Sequence, residues 1–238
     1  MGHTKELSPA LKHDIKIHAK AIDDLYDLRK QFKNKVIIEL NHRGVKAKTP
    51  KLQERTLTIT GEMPNIVLRY FSKGYYDITS IIHYLKATLQ NMLHGLKVYE
   101  NFLRKQYFVD EVLAGYLIGY LKPTVPYPSS FWAYCGFAPI RIVFNKRIKK
   151  YFTTHTKAKF FDNLDERNKY VKAYIRYFRK LGQSERWSNA SPVHKRNASF
   201  RYAMKEFLKD LYLMWRNYEG LEVKPQSFMQ ILEREDLS

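Results

Sequence analysis

DEVLAGYLIGYLKPTVPYPSSFWAYCGFAP, Asp110 to Pro139, decides how this chain is read. Its first part is an apolar run that predicts a helix ending at Pro123, with Gly115 and Gly119 four residues apart on one face. A face of that kind lets another backbone approach closely, at about 1 kcal/mol of helix propensity per glycine relative to alanine. The second part sets Phe131, Trp132, Tyr134 and Phe137 around Gly136, with a stop at Pro139. A helix, a proline-rich turn and a short aromatic helix predict a packed corner between two longer helical halves. Packing alone accounts for these residues, and no ligand is needed to explain them.

Outward toward the N-terminus, residues 8 to about 40 predict one amphipathic helix. Ser8 suits its cap and Pro9 its first position. Leu11, Ile15, His18, Ile22, Leu25, Arg29, Phe32 and Val36 recur at spacings of four and three, the pattern of a seam. That seam suits either a helix of the same chain or a homo-oligomer paired through residues 8–40. His18 and Arg29 interrupt it, which argues against a long autonomous coiled coil. Asn41 to Gly61 is a basic linker in which Thr56–Thr60 alternates like a short strand. From Pro64 a long helix is expected, carried by Ile78, Ile81, Ile82, Leu85, Leu89, Met92, Leu93, Leu96, Tyr99 and Leu103, with Gly74 and Gly95 as weak points. Its residues form core and suggest no chemistry.

Past the aromatic corner the charge changes. Arg141 to Arg186 holds 14 Lys/Arg against 4 Asp/Glu. That excess is more than half of the chain's +19. RIVFNKRIKKYFTTHTKAK alternates enough to predict a short basic β-ribbon turning near Asn145-Lys146. Such a ribbon can lie in the groove of a duplex, with Lys146, Arg147, Lys149, Lys150, Lys157 and Lys159 toward phosphates. Residues 160–181 predict a two-faced helix capped by Gly182, with Leu164, Val171, Tyr174, Ile175, Phe178 and Leu181 on one side. Lys169, Lys172, Arg176, Arg179 and Lys180 occupy the other. One sign of charge on a face means mutual repulsion, which a polyanion would relieve with release of its counterions. Ser191-Pro192 then predicts the start of a last helix with Phe200, Met204, Phe207, Leu208, Leu211, Trp215 and Tyr218 as its buried stripe. His194, Lys195 and Arg196 crowd the end of that helix where an anion would be favoured.

VLAGYLIGYLKP and SSFWAYCGFAP, followed by VHKRNASFRYAMKEFLKDLYLMWRN, resemble the C-terminal half of the DEDD-type insertion-sequence transposases, the serine-assisted recombinases guided by a bridge RNA. Small stand-alone proteins of phages, plasmids and archaeal mobile elements share that half. Ser130, Phe131, Trp132, Tyr134, Gly136, Phe137, Ala138 and Pro139 carry the match, with His194 and Lys195 in the last helix. The resemblance implies a helix-hairpin-helix-like centre and binding of DNA. In the family a Gly-hydrophobic-Gly turn grips a phosphate; Phe108, Val109 and Asp110 stand there in this chain, and an aspartate would repel one. The family's spaced acidic quartet has no counterpart here, and threonines replace the segment that holds its nucleophilic serine. No catalytic residue is therefore carried over.

The expected fold is mainly α, a helical bundle with a helix-hairpin-helix-like centre and a short basic β-ribbon. Its expected parts are an N-terminal helix and basic arm (1–62), a helical DNA-binding core (63–220) and a tail (221–238). Hydrophobic residues at 45% suffice for a core, and pI near 9.8 favours a polyanionic partner. The single cysteine, Cys135, excludes an internal disulfide and a cysteine-based zinc site, and suits the cytoplasm, that of the host if the chain is viral. No apolar run reaches the roughly 18 residues of a membrane span. Asp162, Asp165 and Glu166, the one acidic cluster in the basic region, read as the first turn of a helix more readily than as metal ligands. No nucleotide-binding loop or cofactor motif is present. The sequence thus points to a DNA-binding protein of a mobile element or virus rather than an enzyme. A structural protein of viral or plasmid assembly and a metal-dependent recombinase stand as alternatives.

Overall fold

In the computed structural model, residues 7–42, 66–138 and 144–223 are described. The expected basic linker beyond His42, the Thr56–Thr60 strand, the start at Pro64, the stop at Pro139, residues 141–143 of the expected ribbon and the tail beyond residue 223 lie outside them. Helices account for most of the described residues: α1 (Pro9–His42), α2 (Ile66–Leu93), α3 (Lys97–Asn101), α4 (Glu111–Tyr120), α5 (Ser129–Tyr134), α6 (Lys146–Tyr151), α7 (Lys157–Asp162), which continues α6, α8 (Lys169–Gln183) and α9 (Pro192–Tyr218).

Every residue of α4 from Val112 to Gly119 is buried, as expected of a helix that is apolar on all sides. The Asp110 carboxylate accepts the Leu113 N–H and caps it. A Cβ at Gly119 would lie 2.8 Å from Lys16 Cβ and 3.0 Å from Lys16 Cα, and one at Gly115 would lie 3.0 Å from Ala19 Cβ. The glycine face therefore receives the backbone of α1. Buried Ile15, Ala19 and Ile22 pack into the core that α4 occupies. The α1 seam is thus packed within the chain, against α2 and α4. Its two polar interruptions have local partners. His18 Nδ1 lies 2.9 Å from the Asp14 carbonyl oxygen, and Arg29 covers the rings of Tyr26 and Tyr75.

The aromatic corner packs on α9. Phe131 meets Tyr212 and Trp215 edge-on, and Trp132 Nε1 donates to the Lys205 carbonyl at 2.9 Å. The proline turn is tied down from the same helix: Tyr212 Oη donates to the carbonyls of Val125 and Pro126, and Arg216 to those of Pro123 and Val125. Gly136 has φ of 78°, the left-handed region that glycine tolerates, with the Lys149 stem packed against it. Phe137 meets Phe152 edge-on. Cys135 is fully buried, and burial pushes its thiol well above the usual range, so it is an inert core residue.

Three expectations are corrected. Residues 146–162 are helical, with a π-turn at Phe152–Thr156, and no strand occurs among the described residues, so from Lys146 on the expected basic β-ribbon is a helix. The reason is visible in the buried set: Ile148, Tyr151, Phe152, Thr156 and Phe160 repeat every three or four residues, and the Asn145 side chain caps the start. The helix expected over 160–181 is instead α8, capped by Asn168, and it runs through Gly182 to a C-cap at Ser184. The long second helix stops at Leu93, where Gly95 takes φ of 83°. No helix among the described residues is long and apolar enough to cross a membrane.

Candidate nucleic-acid interface

The basic residues between 146 and 196 reach three different places. The first is the contact between α6–α7 and the remainder of the core. Arg147 pairs with Asp24, with Asp23 at 3.7 Å, and Lys150 pairs with Asp27 at 2.6 Å. Asp23 also accepts the buried Tyr116 hydroxyl at 2.9 Å. Lys159 Nζ lies 2.8 Å from the Asp110 carboxylate, which accepts Tyr151 Oη at 2.7 Å as well. Burial pushes the Asp110 carboxyl up, but the Lys159 ammonium and the hydrogen bonds from Lys159, the Leu113 N–H and Tyr151 together outweigh it and hold the carboxyl below its ordinary range. Lys149 lies 4.3 Å from the centre of the Phe144 ring. Lys146 alone in this group is exposed and lacks a carboxylate partner among the described residues.

The second place is the outer face of α8. Lys169 is taken by Asp210 at 2.7 Å, which also holds the Tyr170 hydroxyl. Lys172, Arg176 and Arg179 are exposed, and none has a carboxylate within 4.0 Å among the described residues. With Ile175, Lys180, Gln183 and one acid, Glu166, they line a shallow groove. Buried Tyr170, Val171, Tyr174 and Leu181 anchor the opposite side of the helix, so this face is held rigidly outward.

The third place is the start of α9. Ser191 caps it and Pro192 opens it. Arg196 stacks on Phe161 with its guanidinium carbon 3.9 Å from the ring centre, and Lys157 donates to Asn197 at 2.6 Å. His194 packs beside Trp187. Phe161 also meets Tyr174, and Tyr174 and Arg176, two residues apart, point to opposite sides of α8. Arg196 therefore belongs to the side away from the α8 groove. Lys195 is half-buried, and its carbonyl accepts the Ser199 hydroxyl.

The acidic cluster is dispersed rather than forming a first helical turn. Asp162 ends α7, Asp165 binds the Arg167 side chain and N–H, and Glu166 faces the α8 groove. No group of three His, Cys, Asp or Glu suited to a metal occurs among the described residues. Two lysines that the sequence did not single out, Lys16 and Lys20 of α1, line a second groove with Lys146. Their helix carries Asp14, Asp23, Asp24 and Asp27 as well, so in sequence it reads as mixed charge. Only the fold shows that Arg147 and Tyr116 engage Asp23, and that Arg147 also holds Asp24. The chain matches no family model, no curated protein and no solved structure.

Proposed function

We propose that this protein binds nucleic acid, and DNA in particular, by laying the outer face of α8 on the phosphate backbone. The observation that carries this reading is the row Lys172, Arg176 and Arg179. These residues stand four and three apart, so they are neighbours on the helix surface and repel one another. No carboxylate among the described residues is paired with them. Phosphates would replace that repulsion with attraction and release condensed counterions, which supplies most of the free energy of sequence-independent binding. Lys180 lines the same groove and adds positive charge to it.

The resemblance to the C-terminal half of insertion-sequence transposases supports DNA as the polymer and a mobile element or virus as the setting. Residues 108–110, where the family has its phosphate-gripping turn, take no part in the proposed contact. Asp110 is occupied internally by Lys159, Tyr151 and the N-cap of α4, so that turn serves as a strut rather than a phosphate clamp.

Fluorescence anisotropy with labelled duplex and single-stranded DNA tests the reading. Affinity should fall linearly on a log–log plot between about 50 and 200 mM salt. Failure to bind at the low end of that range would favour an assembly role for the charge instead.

A further inference from the structure

The groove between α1, α4 and α6 is built from elements that take no part in the α8 face. Gly119 allows α1 to press its backbone against the end of α4, and this contact sets the Lys16 ammonium 4.6 Å over the centre of the Tyr120 ring. One turn earlier, Lys12 points inward: its ammonium donates to the Leu121 carbonyl at 2.5 Å and lies over Trp215. Burial, and then the charge of Lys122, lower the Lys12 pKa. One turn later, Lys20 projects to the surface. Asn145 and Lys146 form the facing wall, and Tyr120 and Ile17 complete the lining. The Asn145 side chain accepts the N–H groups of Arg147 and Ile148, which fixes where Lys146 begins the helix.

Three cations, Lys16, Lys20 and Lys146, thus converge on one groove, and none has a carboxylate partner among the described residues. Arg147 also lines it, but its guanidinium is held by Asp24 and Asp23. Lys16 and Lys20 are separated by about 6 Å of helix axis. A nucleic-acid strand carries a charge about every 3.4 Å along a duplex, so the two lysines address separate phosphates rather than one isolated anion. We infer that this groove is a second phosphodiester-backbone site, and that one chain holds two segments of nucleic acid, one on α8 and one between α1 and α6. The inference rests on the proposed nucleic-acid binding.

Binding stoichiometry with a short duplex, measured by sedimentation velocity at low salt, tests it. The wild-type chain should saturate at two duplexes. The K16Q/K20Q/K146Q variant should saturate at one, as should K172Q/R176Q/R179Q. K20E/K146E, which leaves the Lys16–Tyr120 contact intact, should also saturate at one, with circular dichroism unchanged. Saturation of the wild type at a single duplex overturns the second site while leaving the proposed function standing. Retention of two duplexes by both groove variants overturns it as well. A wild-type chain that binds no duplex overturns the function and this inference together.

Discussion

Two stretches of one basic segment, residues 146–162 and 169–183, are both rich in lysine and arginine and end in different surroundings. In α6–α7 three of the cations, Arg147, Lys150 and Lys159, are paired with carboxylates from elsewhere in the chain. Arg147 and Lys150 meet aspartates 123 positions away on α1, and Lys159 meets Asp110. In α8 Lys169 is taken by Asp210, while Lys172, Arg176 and Arg179 are left to solvent. A run of positive charge therefore does not announce its own role. What separates a clamp from a binding face is whether the fold brings acids to it, and that is a property of the distant partner.

The contrast can be broken at several points. The largest effect should follow Trp132→Ala, because the corner it fills supports both stretches through α9 and the Phe137–Phe152 contact. Destabilisation of about 4 kcal/mol is expected from denaturant unfolding. Asp110→Ala comes next. It removes an N-cap, the Lys159 ion pair and the Tyr151 partner together, at a cost of about 3 kcal/mol. The pH dependence has a definite sign. The folded Asp110 carboxyl lies below its ordinary value of 3.8, so its stabilisation is complete above that value and disappears as the medium is acidified through the folded pKa. Asp110→Asn should accordingly flatten the acid limb of a stability–pH profile, and an unchanged limb would remove Asp110 from the clamp.

Smaller effects distinguish the exposed pairs from the unpaired row. Lys150→Gln breaks an exposed ion pair with Asp27 and should cost no more than about 1 kcal/mol, less at high salt. The α8 changes Lys172→Gln, Arg176→Gln and Arg179→Gln should alter stability by no more than about 0.5 kcal/mol, since they remove repulsion and no partner. A destabilisation of several kcal/mol in that triple variant would mean that these cations hold the fold together after all.

Much of this was legible in the sequence where the signal is local. Ser191 and Pro192 mark the start of α9, and Phe200, Met204, Phe207, Leu208, Leu211 and Trp215 are its buried stripe as their spacing predicts. The Gly115–Gly119 face found its backbone partner in α1. The α8 row could be read because the helical period gathers its cations on a face away from Val171 and Tyr174. The ribbon reading failed because RIVFNKRIKKYF satisfies a twofold period over a few residues, and helical packing of Ile148, Tyr151, Phe152 and Phe160 prevailed. Gly182 failed as a stop because it does not take the left-handed φ of a C-cap glycine, and α8 continues past it to Gln183. The pairing of Arg147 and Lys150 with α1, and the groove of Lys16 and Lys20, depend on tertiary packing that no window along the chain contains.

The central claim is that α8 offers its charge to phosphates while Arg147, Lys150 and Lys159 of α6–α7 are committed to carboxylates of the same chain. Salt-dependent binding of one DNA duplex by three proteins tests this directly: wild type, K172Q/R176Q/R179Q and R147Q/K150Q. The α8 variant should bind more weakly, its log–log salt slope shallower by about 0.9 for each phosphate it no longer neutralises, while the α6 variant keeps the wild-type slope. An α8 variant with the wild-type slope, or an equal weakening of both variants, would contradict the account.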